Sequence, residues 1–324
     1  MSIAAMTPDS PVLVEVVRGD LVECIHRARV VVTGADGQVQ FSLGDVASPM
    51  YARSSLKPVQ AVAMLSSGLD VEGRLLALAA ASHSGQDYHL TGVRELLAGA
   101  GLGAEALQNT PDLPLDEAAR VVWLRAGRDA SSLTQNCSGK HAAMLRTCVR
   151  AGWDVGSYLD PAHPLQQAVA ATVDEWCGGH SPATTDGCGA PLFATSMTGL
   201  ARAFGRIAGA GVGPAKLVAD AYREFPEYAS GDGRDDLALH RAVPGVVCKG
   251  GAEGCMAVGL PDGRGVVVKV DDGNARAVLP LTAAVLARLV AEPAALSPLL
   301  TRPVLGHGRP VGEVRVALGA LAGL

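Results

Sequence analysis

The order of strand-like and helix-like segments constrains this chain more than any other feature. Residues 11–50 hold β-branched runs, VLVEVVRGDLVECIHRARVVVTGADGQVQFSLGD, broken at Arg18-Gly19-Asp20 and Gly34-Ala35-Asp36-Gly37. A second strand-rich stretch, 243–272, reads VPGVVCKGGAEGCMAVGLPDGRGVVVKVDD and turns at Pro261-Asp262-Gly263. Between them the apolar spacing is helical: from Lys57 to Ser67, over 73–82, 89–101 and 115–127, from His141 onward, and over 164–179. A last helix is predicted from about Pro280 to Ala291, and Pro293 to Pro310 reads as loop. Strands at both ends around a helical middle predict one sheet assembled from both termini with helices packed over it. The fold class is therefore α/β in an α+β layout. One domain is expected over 1–324, with a helical middle at roughly 57–240 on a sheet from roughly 11–50 and 243–272.

Composition narrows the function. Hydrophobic residues make up 48% of 324 residues and aromatics only 4%, so the core is expected to be large and aliphatic. A formal charge of −5 gives no basic footprint for nucleic acid. The longest apolar stretches, such as AVLPLTAAVLARLVA at 277–291, are too short to cross a membrane and carry Arg288. The N-terminal stretch MSIAAMTPDSPVLVEVVRGD lacks a basic region followed by an apolar core. Seven scattered cysteines without that signal predict free thiols in a reducing cytoplasm. No glycine fingerprint for a dinucleotide stands in a strand-to-helix context.

Five segments concentrate reactive groups. Ser54 precedes Lys57 by three residues at a helix start, so the two can share a face. A serine needs a base to become a nucleophile, and a buried lysine can be that base; a solvated helix face is the plainer reading. ASHSGQDYH, residues 81–89, follows an Ala-rich helix and offers Ser82, His83 and Ser84, as a cleft lining or as a capping loop. NCSGKHA brings Cys137, Lys140 and His141 to a turn, and TDGCGAP brings Asp186 and Cys188 to another. Thiolates with an imidazole could hold zinc, but paired C-x-x-C spacing is lacking, and two small buried cysteines explain the pattern equally well. CKGGAEG sets Lys249 on a strand before glycines, at the place of the K-[ST]-G element of serine β-lactamase-like enzymes, with Gly250 instead of Ser or Thr. Lys269, in VVVKVDDG, is expected to face outward from an edge.

Together RSSLKP, ASHSGQDYH, NCSGKHAAML, TDGCGAPLF, KGGAEG and KVDDGNARA resemble the rhizobial-type L-asparaginases, the third structural class, with a serine β-lactamase/glutaminase-like fold. The resemblance spans about 11–291. It implies hydrolysis of L-asparagine to L-aspartate and ammonia through an acyl-enzyme. Two Ser–Lys pairs would meet in one pocket, Ser54 with Lys57 and Ser82 with Lys249. Arg53, His83, Lys140 and His141 are the candidates for anchoring the substrate. The resemblance also implies a zinc ion on Cys137, Lys140 and Cys188, with Asp186 nearby, and a homodimer. Members of the family carry a further cysteine near a G-x-G-R stretch; here that stretch is Gly231-Asp232-Gly233-Arg234-Asp235-Asp236. That departure implies a zinc site that is weaker, differently supported or partly filled. A glutaminase, another small-amide or β-lactam hydrolase, and a non-catalytic amino-acid binder are the competing readings.

Overall fold

The computed structural model describes residues 10–324; the rest of the stretch read for a secretion signal, residues 1–9, lies outside them. Strands β1 (Val12–Arg18), β2 (Leu21–Thr33) and β3 (Val39–Leu43) open the chain, and a short β4 (Pro49–Tyr51) follows. The helical middle holds α1 (Lys57–Ser66), α2 (Gly73–Ala79), α3 (Asp87–Ala98), α4 (Glu117–Arg125), α5 (Ser138–Ala151) and α6 (Pro164–Cys177). Three short strands come next, β5 (Thr184–Thr185), β6 (Pro191–Leu192) and β7 (Ala194–Ser196). They are followed by α7 (Met197–Ala208), α8 (Gly213–Glu224), α9 (Pro226–Ala229) and α10 (Asp235–Ala242). The chain then re-enters the sheet with β8 (Val247–Gly251), β9 (Cys255–Gly259) and β10 (Gly265–Val270), and closes with α11 (Val278–Leu289), β11 (Thr301–Gly306) and β12 (Arg309–Val316).

The sheet is antiparallel throughout, with order β11-β12-β1-β2-β10-β9-β8 and β3 beside β2. Period two explains its core. Val31, Val267, Ala257 and Val247 point into one apolar cluster with the helical middle, while Val30, Val32, Val266, Val268 and Val258 point into another with α11. The central strands are apolar on both faces because both faces are covered. Gly259 and Gly265 let α7 lie close: a Cβ at either would come within 2.1 Å of the Phe204 carbonyl or 1.9 Å of the Ala201 carbonyl.

Two expectations are corrected. Residues 301–316 form a hairpin at the sheet edge, within what read partly as loop. Lys269 is buried on the central strand β10, between β2 and β9, and its Nζ donates to the carbonyls of Glu253 and Val270 at 2.5 and 2.7 Å. No helix among the described residues is long and apolar enough to cross a membrane.

Candidate active site

RSSLKP does not enter α1 directly. Arg53–Leu56 make one tight 3₁₀ turn, and Pro58 then sits in the first turn of α1, where its missing N–H costs nothing. Arg53 has φ of 51°, in the left-handed region that a branched or long side chain avoids. It is held there by its Nε donating to Asp186 Oδ1 at 2.7 Å, with Glu253 Oε1 3.8 Å away. Glu253 has φ of 61°, so two strained residues flank the same place. The turn leaves Ser54 half-buried and buries Ser55, whose hydroxyl donates to the Lys249 carbonyl at 2.9 Å.

Ser54 and Ser82 line one cavity of about 400 Å³, together with Arg234, Asp235, Asp236 and the Gly250–Gly251 end of β8. The strand can pass this close because it carries no side chain there. A Cβ on Gly251 would stand 2.4 Å from the Ala52 carbonyl and 2.9 Å from Ser55 Oγ. Gly139 plays the same part for the NCSGKH segment: a Cβ would meet the Leu78 carbonyl at 2.4 Å, so α5 rides against α2.

Lys57 is the amine beneath this cavity. It is 2% exposed, and its Nζ donates to the Ala81 carbonyl at 2.5 Å, Ser82 Oγ at 2.9 Å and Cys137 Sγ at 3.1 Å. Burial pushes its pKa below the usual lysine value; the Cys137 sulfur opposes that shift, and the Lys140 and Lys249 charges add to it. Among the described residues the serine hydroxyl bonded to a lysine amine is thus Ser82, to Lys57. Lys249 lies apart from Ser82 in its bonding: its Nζ donates to the Gly250 carbonyl at 2.6 Å and pairs with Asp236 Oδ1 at 3.4 Å. The expected Ser82–Lys249 pair is not hydrogen-bonded among the described residues: α10 brings Asp236 to Lys249, while α1 carries Lys57 under the loop after α2.

Cys137 and Cys188 pack together with Ala190. Hydrogen bonding from the Cys188 thiol, then the charges of Lys57 and Lys140, hold Cys137 well below the usual thiol range against its burial. Cys188 is pushed up by the same sharing and by burial. Lys140 Nζ donates to Cys188 Sγ at 3.3 Å, and Asp186 Oδ2 lies 3.8 Å from that sulfur. Burial alone would lower Lys140, but Cys188, Cys137 and Asp186 outweigh it and raise its pKa. Two sulfurs and an amine gathered in this way fit the donor softness of zinc, and Asp186 lies beside them. No group of three or more His, Cys, Asp or Glu among the described residues could hold a metal, so zinc here needs the lysine.

The expected anchoring residues line no part of the serine cavity. Arg53 is spent on Asp186, and Lys140 on Cys188. His83 is fully buried, with Nε2 2.8 Å from Ser138 Oγ, and burial holds its pKa well below the usual value. His141 is equally buried against the Tyr158 hydroxyl at 2.9 Å and is lowered by the same cause. The cavity instead receives Arg234, the Asp235–Arg302 ion pair and Asp236. The run Arg234-Asp235-Asp236 after two glycines was the available signal; Arg302 gave none, because its strand went unread.

No curated protein matches the chain. Among solved structures it is similar to a β-lactamase from Mycobacterium bovis, at 18% identity and TM-score 0.44, covering 81% of this chain and 94% of that one. It is also similar to a Bacillus glutaminase, at 15% identity and TM-score 0.35, covering 76% and 84%. The sequence itself matches the L-asparaginase II family over residues 14–316, nearly its whole length. The chain therefore belongs to the L-asparaginase II family and is a hydrolase acting on amides.

Proposed function

We propose that the protein hydrolyses L-asparagine to L-aspartate and ammonia through an acyl-enzyme on Ser54. The observation that carries this reading is a buried lysine with a lowered pKa, 2.9 Å from one serine, beneath a cavity that a second serine lines. Ser54 is the less buried residue of the two and attacks the side-chain amide carbon. Its proton passes through Ser82 to Lys57, which then gives it to the departing nitrogen. Ammonia leaves, water attacks the ester carbon, and the same relay takes the water's proton and returns it to Ser54. Gly250 N–H already donates to Asp236 at 2.5 Å, so the oxyanion falls to other backbone N–H groups near Ser54 and at 251–252. Lys249 pairs with Asp236 beside that turn.

Zinc belongs to this proposal as a bound group. Cys137, Lys140 and Cys188 would hold it, with Asp186 beside them, and when bound it would supply fixed positive charge next to Arg53. A homodimer in the cytoplasm is likewise proposed, from the family resemblance. The direct test is ammonia release from L-asparagine and L-glutamine by purified protein, and by Ser54→Ala, Ser82→Ala and Lys57→Ala. Loss of a general base or relay group costs about 10²- to 10⁴-fold in rate. Mass spectrometry of the quenched reaction should find the acyl group on Ser54. Full activity in both Ser54→Ala and Lys57→Ala, or an acyl group on another residue, would remove the mechanism.

A further inference from the structure

The charged groups around the serine cavity pair off with one left over. Asp235 is taken by Arg302, Asp236 by Lys249 at 3.4 Å, and Glu253 by Arg53 at 3.8 Å. Arg234 lines the same cavity, its Nε is buried, and that atom has no hydrogen-bond partner among the described residues. No carboxylate among the described residues lies within ion-pair distance of its guanidinium. A buried N–H on a charged group without an acceptor is costly and calls for one.

The loop that carries Arg234 is built to hold it still. Gly231 and Gly233 have φ of 130° and 72°, which other residues adopt only under strain. A Cβ on Gly231 would stand 2.3 Å from Ser84 Oγ, so the loop lies directly on the segment that carries Ser82. Ser84 Oγ donates to the Ser230 carbonyl at 3.2 Å. Gln86 clamps Asp232 twice, its Oε1 accepting from the Asp232 N–H at 3.1 Å and its Nε2 donating to Oδ2 at 3.2 Å. The backbone that carries Arg234 is thus fixed relative to the Ser82 segment by contacts that are independent of any ligand.

We propose that Arg234 binds the α-carboxylate of the substrate and makes the site selective for amides that carry one. A planar guanidinium matches a carboxylate with two parallel hydrogen bonds, which a lysine ammonium cannot reproduce. The substrate class is a small α-amino acid amide, its carboxylate on Arg234 and its side-chain amide at the serines. This inference rests on the asparaginase reading and deepens it.

The test compares L-asparagine with β-alaninamide, which is asparagine without its α-carboxylate, on wild-type protein, Arg234→Ala and Arg234→Lys. Binding of L-asparagine to Ser54→Ala, with and without Arg234→Ala, is measured by calorimetry. Arg234→Ala should raise KM for asparagine about 10- to 100-fold, the range for a hydrogen bond to a charged group, and leave kcat within a few-fold. Its kcat/KM for β-alaninamide should match that of wild type, and Arg234→Lys should recover only part of the loss. Should Arg234→Ala fail to fold, wild type alone still tests the idea: it should prefer asparagine over β-alaninamide by at least about 10-fold. An active wild type whose KM is unmoved by Arg234→Ala, or which takes both amides equally, overturns the Arg234 assignment and leaves the asparaginase reading standing. No turnover but arginine-dependent binding overturns the reaction and supports the carboxylate site. Neither turnover nor binding overturns both.

Discussion

Gly251 offers the sharpest test of how the strand β8 sets the serine. Its Cα faces the 3₁₀ turn at Arg53–Leu56, and a methyl group there would lie 2.4 Å from the Ala52 carbonyl and 3.2 Å from the Ser55 N–H nitrogen. Normal contact needs about 3.4 Å, so the turn or the strand must separate by roughly 1 Å, and both opposing atoms are backbone. Overpacking of this kind costs about 1–3 kcal/mol. Gly250, one residue earlier, is the internal control: a methyl there meets only the Asp236 carboxylate oxygens at 3.2–3.3 Å and Met256 Cε at 3.5 Å, groups that can give way. Gly251→Ala should therefore lower the denaturant midpoint by that 1–3 kcal/mol, while Gly250→Ala should stay within about 1 kcal/mol of wild type. Because the displaced turn carries Ser54, Gly251→Ala should also lose about 100-fold in kcat/KM for ammonia release, as expected of a misplacement near 1 Å. Equal stability of the two variants, or near wild-type activity of Gly251→Ala, would refute the claim that the strand fixes the serine by contact.

Asp236→Asn keeps an oxygen for Gly250 N–H but strips Lys249, 1% exposed, of its counter-charge; it should cost about 3–5 kcal/mol by denaturation, and adding Lys249→Met should restore part of that. His89 is fully buried and its pKa is lowered by burial from 6.5 to about 4, so the unfolded chain takes up a proton before the folded one does. Its contribution is complete above pH 6.5 and is lost as pH falls towards 4, about 3 kcal/mol in all, and the stability–pH slope in that window should flatten in His89→Gln. Metal analysis of protein purified without chelator should find zinc, and Cys188→Ala should lower both zinc content and melting temperature; a protein without zinc whose melting is unmoved by Cys188→Ala would remove the metal from the proposal.

What the sequence made legible was whatever follows from local periodicity. The helices from Lys57 to Cys177 and the strands near both ends could be read from spacing, because apolar contact at period 3.6 or 2 is a local property of the chain. The hairpin β11–β12 escaped because Pro303 and Pro310 look like breakers. Proline is excluded from central strands for want of an N–H, but Pro303 is on β11, the edge of the sheet, and Pro310 opens β12 before its pairing with β1 begins at Gly312, so neither loss falls inside the sheet. Lys269 misled for the opposite reason. Alternation was read as one buried and one wet face, whereas helices cover both faces of β10 and two backbone carbonyls take up the amine.

The site shows the same division one level up. Ser54, Ser82 and Lys57 could be named from short motifs because each motif carries its own chemistry. Which lysine serves which serine could not, since that depends on Asp236, far along the chain, reaching Lys249 first. Pairing of charges is a property of the folded cavity: Asp236 pairs with Lys249, Asp186 with Arg53, and Asp235 with Arg302. After those pairs are made, the amine left touching a serine is Lys57 and the cavity-lining guanidinium without a carboxylate among the described residues is Arg234. One has its pKa lowered by burial, which suits proton transfer. The other is a planar guanidinium with donors only, which suits holding an anion.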